Sequence, residues 1–104
     1  MKYEFTGKIK TVNGVTVRQI KRISDDLIGG WIESEKNLDQ NGSCFVYDDA
    51  VVTGNTWVFH DASVCGNAKV YGNARVFGNA SVSGNAKVYG NDVITDWQYS
   101  IYSL

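Results

Sequence analysis

Chemistry in this chain would have to come from a short set of side chains: the single histidine His60 with Asp61 beside it, the two cysteines Cys44 and Cys65, and dispersed lysines and arginines. A histidine serves as general base when a carboxylate orients its ring and a nucleophile lies within hydrogen-bond reach. His60 has Asp61 as its one acidic neighbour, with no nucleophile or set of oxyanion donors in the pattern, so a structural role at a corner is expected. Cysteine reactivity needs a thiolate, which nearby positive charge favours. Cys65 has no basic neighbour in the pattern and reads as a small surface residue. Two cysteines without motif spacing make neither a disulfide framework nor a zinc site, so both are expected as reduced thiols, with no metal and no cofactor. No Walker loop, zinc spacing, nucleophile elbow or dinucleotide fingerprint occurs. The Gly-x-x-Gly matches have no following helix that could cradle a phosphate.

The elements that would position these groups follow from the rest of the sequence. A chain of 104 residues fits one domain. Lys+Arg 10 against Asp+Glu 11 leaves no excess charge for general nucleic-acid or anionic-lipid binding. No apolar run reaches the roughly 20 residues a spanning helix needs, and MKYEFTGKIK alternates instead of forming a signal-peptide core. A soluble, cytoplasmic protein without membrane contact is the expectation. The lack of proline, with eleven glycines, points to short strands and tight corners.

From Gly54 onward the sequence repeats with a period of six: GNTWVF HDASVC GNAKVY GNARVF GNASVS GNAKVY GNDVIT. An apolar anchor recurs at Val46, Val52, Val58, Val64, Val70, Val76, Val82, Val88 and Ile94. Two residues before each anchor stands a small side chain, from Cys44 and Ala50 to Ala86, with Asp92 last. A spacing of two places both on one face of a strand, so each hexad directs one small and one branched residue inward. Gly-Asn pairs between anchors suit the positive φ of sharp corners. A short strand and a corner every six residues curl the chain into a prism.

Tandem V-Y-G-N-A-K units resemble the hexapeptide repeats of left-handed β-helix proteins. That resemblance implies three hexads per turn, 18 residues per coil and left-handed winding, hence about three coils from these anchors. The expected fold is all-β: a short left-handed β-helix over residues 44–95, behind an N-terminal β-hairpin and capping segment (1–43) and before a C-terminal cap (96–104) closed by Trp97, Tyr99, Ile101, Tyr102 and Leu104. Stacking by 18 aligns Asn55, Asn73 and Asn91, and Asn67 with Asn85. In the hairpin, a two-residue Asn13-Gly14 loop would pair Ile9 with Arg18 and mix the faces. A three-residue loop pairs Ile9 with Val17 and Thr11 with Val15, and puts Lys8, Lys10 and Arg18 on one wet face; that register is preferred. The stretch Gly29-Gly30-Trp31-Ile32-Glu33 to Asp48 resembles the start of the helix in Gly-Gly-Trp-capped bacterial and prophage proteins labelled hexapeptide transferases.

Hexapeptide β-helices are often trimeric acyltransferases with a catalytic histidine. Here Val46 to Ile94 runs without the interrupting loop that builds such active sites, and His60 stands where other hexads carry glycine, so the sequence is read as non-enzymatic. Outward positions then become the candidates for binding. Tyr71 aligns with Tyr89 and Phe59 with Phe77 as aromatic ladders, Lys69 aligns with Lys87, and Arg75 lies on the neighbouring side. The expected function is a rigid protein that engages a macromolecular partner, a host or phage protein, through this aromatic and basic surface. The cap resemblance suggests a phage or mobile-element inhibitor of a host defence effector such as a CRISPR-type one; a homo-oligomer would also use the ladders. The alternative is a minimal hexapeptide acyltransferase acting as a trimer.

Overall fold

The computed structural model describes residues 1–95 and the backbone of the strand Gln98–Ile101. The period of six becomes a three-faced prism. The first face stacks Val51–Val52, Lys69–Val70 and Lys87–Val88. The second stacks Trp57–Val58, Arg75–Phe77 and Val93–Thr95. The third stacks Phe45–Val46, Ser63–Val64, Ser81–Gly84 and Gln98–Ile101. Every pairing within a face is parallel, and Val70 aligns with Val52 and Val88. The result is all-β, a short left-handed β-helix of about four turns.

The anchors Val46 through Val88 have no exposed surface, and Ala62, Ala68, Ala74 and Ala86 fill the axis between them. At Thr56, where the small residue is polar, the hydroxyl donates to the Thr53 carbonyl at 2.8 Å. Corners fall six residues apart at Gly42, Asp48, Gly54, His60, Gly66, Gly72, Gly78, Gly84 and Gly90, all with φ between +57° and +77°. One rung of the expected asparagine column is present, Asn55 Nδ2 donating to Asn73 Oδ1 at 3.3 Å. Trp97, Tyr102 and Leu104, and the side chains of Tyr99 and Ile101, lie outside the described residues.

About four turns stand where three are predicted because the segment before the hexads already winds into the spiral. Three longer strands precede them: β1 (Tyr3–Val12), β2 (Val15–Arg22) and β3 (Ile28–Ile32). In β3, Ile32 pairs with Val52, and Leu38 bridges to Val58, so both serve as anchors of the first turn. The buried Asn37 amide ties that turn to the next, donating to the Gly54 and Thr56 carbonyls at 3.1 Å and accepting from the Glu33 and Ser34 N–H groups. The large side chains Tyr3, Ile20, Ile32, Leu38 and Phe45 fill the N-terminal end of the core. Burial pushes the Tyr3 phenol up, and its hydroxyl donates to the Leu38 carbonyl at 2.6 Å.

Phe45 and Val46 explain the Gly29-Gly30 pair. A Cβ on Gly30 would lie 2.6 Å from the Ala50 carbonyl oxygen and 2.7 Å from Val46 Cγ1, and one on Gly29 would meet the Phe45 ring at 2.7 Å. Gly30→Ala is therefore expected to destabilise the protein by about 2 kcal/mol through overpacking, whereas glycine-to-alanine in open space stabilises. A lower urea midpoint at unchanged slope is the expected readout.

The hairpin register corrects the expectation. The loop is the two-residue Asn13-Gly14 turn, with φ +50° and +80°, and Val12 pairs with Val15, Lys10 with Val17 and Ile9 with Arg18. A bulge between Phe5 and Ile9, around Gly7 at φ +100°, interrupts the alternation on which the three-residue loop rests. Ile9 is consequently 65% exposed while Val17 is fully buried. Lys10 and Arg18 thereby fall on opposite faces of the ribbon: Lys10 lies 4.4 Å over the Trp31 ring and Arg18 5.5 Å over Phe5.

Candidate functional site

His60 occupies the corner between the second and third faces, in the column where Gly42 and Gly78 stand one turn below and above. Its φ of +58° is a conformation that costs a non-glycine residue about 1 to 2 kcal/mol. Strain of this kind persists where the surroundings enforce it, and it concentrates at functional positions. The exposed imidazole meets the Phe59 ring edge-on at 4.7 Å and the Phe77 ring at 6.0 Å. Phe59 stacks on Phe77 at 4.7 Å, as the sequence predicts, and Trp57 extends the layer, stacked on Phe59 at 3.9 Å. The second face thus carries an aromatic sheet ending at a histidine.

Asp61 faces the turn below. Its Oδ1 accepts from the Ser43 hydroxyl at 2.9 Å and the Ser43 N–H at 3.2 Å. These bonds hold its carboxyl below the ordinary range, with smaller help from the nearby His60 and Lys2. The contribution to stability is present above the ordinary carboxylate value of 3.8 and is lost as pH falls through the lowered value. Ser43→Ala is expected to move the Asp61 titration, followed by carboxyl NMR, upward toward 3.8.

Neither cysteine is activated. Cys44 is buried, and desolvation raises its pKa although Lys2 Nζ donates to its sulfur at 3.1 Å. Lys2 is also spent on the Asn41 and Gly42 carbonyls, which ties the amino-terminal segment over the same corner. Cys65 is raised by burial and by Asp48. Among the described residues no cluster of histidine, cysteine and carboxylate could hold a metal ion, and no helix is long and apolar enough to cross a membrane.

The other residues singled out in the sequence separate onto two faces. Lys69, Tyr71, Lys87 and Tyr89 share the first face, with Lys69 directly paired to Lys87 and the Tyr71 and Tyr89 rings stacked at 5.3 Å and 11°. Phe59, Arg75 and Phe77 lie on the second. Sequence reasoning misses the cleft between the hairpin tip and the first face, since no periodic signal says where the tip rests. The valines flanking Asn13-Gly14 are the one local sign of it.

No family model matches the chain, and no solved structure does. Among curated proteins it is similar to one of Escherichia coli K12 named "Uncharacterized acetyltransferase YdcK", with 44% identity over 59 residues, taking in 44% of this chain and 18% of the relative. The chain thus spans under a fifth of that protein's length. This likeness overturns the expectation of a chain without catalysis. That expectation leans on the missing loop and the solitary histidine, yet the chain shares sequence with a protein that carries an acetyltransferase name. Nothing in the geometry or the likeness supports the phage-inhibitor role.

Proposed function

We propose that this hexapeptide-repeat β-helix, similar to acyltransferase-like proteins of that architecture, transfers acyl groups from a thioester with His60 as general base. The observation that carries the reading is His60 itself: a strained, exposed imidazole in a column otherwise held by glycine, set against an aromatic layer. In the proposed step a neutral ring nitrogen takes the proton from the acceptor's hydroxyl or amine as it attacks the thioester carbonyl. The C–S bond then breaks, and the leaving thiolate receives the proton from the imidazolium. Asp61 stays ionised, held by the Ser43 hydroxyl and N–H, and fixes the corner beside His60.

Among the described residues His60 has a wall on its aromatic side and no second wall, so the reading includes a second copy packed on Trp57, Phe59 and Phe77. Trp57 is 43% exposed, and such rings are favoured at interfaces.

The test is calorimetric titration of the protein with acetyl-coenzyme A, paired with thiol release over a panel of hydroxyl and amine acceptors. Saturable heat and acceptor-dependent release are expected. No heat, no change in melting temperature and no release would overturn the reading.

A further inference from the structure

We infer that the cleft between the hairpin tip and the first face binds a small amphipathic carboxylate, an anionic head on an aliphatic body about the size of a medium-chain acyl group. It lies across the prism from the His60 corner and is independent of acyl transfer there.

The cleft encloses about 340 Å³ between Val12 and Val15 of the hairpin and Val51, Lys69, Tyr71 and Lys87 of the first face. That volume suits a small molecule and is too small for a folded partner. Its roof is fixed in advance: Lys10 sits 4.4 Å over the Trp31 ring, and Val17 beneath the ribbon is fully buried. A preformed cleft spares a ligand the cost of ordering it.

Two observations decide what it would hold. Lys69 and Lys87 are paired in register on adjacent parallel strands, where like charges repel. Among the described residues neither ammonium has a carboxylate or hydrogen-bond partner, the ion pairs being made by Lys21 and Arg22. No acidic side chain lines the cleft. An anion between the two ammoniums would turn that repulsion into two charge-assisted bonds. Valines make most of the remaining lining, with Asn13, Thr53 and Tyr71 adding polar groups. Val12 and Val15 flank the Asn13-Gly14 turn, and both are half-buried against the cleft; Val51 continues the lysine column as its floor. Two cations match the two oxygens of a carboxylate. The valines suit an aliphatic body rather than a bare phosphate, and a nucleobase would need an aromatic sandwich where the cleft offers the single ring of Tyr71.

The probe is octanoate, followed by amide NMR shifts of the whole chain, with acetate, octylamine and inorganic phosphate in parallel. Shifts at Val12, Val15, Val51 and Tyr71 that saturate with octanoate alone are expected, weakened on the order of tenfold or more in Lys69→Gln/Lys87→Gln. That double variant removes a repulsion at surface positions and should keep the wild-type amide pattern elsewhere. Val15→Thr, which keeps the branched shape, should weaken octanoate without restoring acetate. Absence of octanoate shifts, equal binding by the double variant, or octylamine or phosphate binding as tightly as octanoate would each overturn the assignment.

Discussion

Val70→Asp should leave the protein unfolded at neutral pH. Val70 has no exposed surface and stands mid-stack on the first face, aligned with Val52 and Val88. An aspartate there points its carboxylate at the alanine-lined axis, where no cation reaches it. An uncompensated buried charge costs about 3 to 5 kcal/mol or more, a large share of the roughly 5 to 15 kcal/mol that holds a domain of this size together. Loss of the β signal in circular dichroism, with partial recovery as acid neutralises the carboxyl, is the expected pattern. Val70→Ala, which only opens a cavity, should fold with a loss of about 2 kcal/mol. A Val70→Asp protein melting like wild type would mean that Val70 does not face the axis.

His60→Gly should do the reverse, leaving the fold alone and removing the chemistry. Glycine relieves about 1 to 2 kcal/mol of left-handed strain, offset by about 0.4 to 1 kcal/mol of added freedom in the unfolded chain and by the lost contacts with Phe59 and Phe77. Stability should therefore stay within about 1 kcal/mol of wild type, and thiol release should fall by about 10² to 10⁴-fold, the usual worth of a general base. Alanine is the poorer probe, because it keeps the strain and loses the ring. Full activity in His60→Gly would exclude the histidine as base.

The anchors, the inward alanines and the two aromatic ladders are legible in the sequence because each depends only on a local spacing that a parallel stack preserves. The hairpin register is not, because the bulge at Gly7 resets the alternation between Phe5 and Ile9, and the Asn13-Gly14 turn proves the stronger signal. Ile32 and Leu38 are hidden as anchors since extra residues separate Leu38 from Val46, breaking the period of six before it starts. Asp48 and His60 occupy corners that the glycine rule alone would not assign. Asp48 accepts the Gly66 N–H at 3.0 Å through its side chain, so a non-glycine corner can be held by a bond to the next turn. The expectation of a chain without catalysis is overturned by a sequence likeness, which no motif within the hexads announces.

The core is not uniform along its axis. Tyr3, Ile20, Ile32, Leu38 and Phe45 crowd the first turn, while the later turns are filled by valine and alanine, with Thr56 near the start. The bulky end is also the end the ribosome makes first. Once it has formed, each further turn needs only to lay three short strands on an edge already in place, closing a loop of about 18 residues at every step. The chain is thereby suited to growing into its native form from front to back while it is still being synthesised, each described strand finding its partner within about 20 residues.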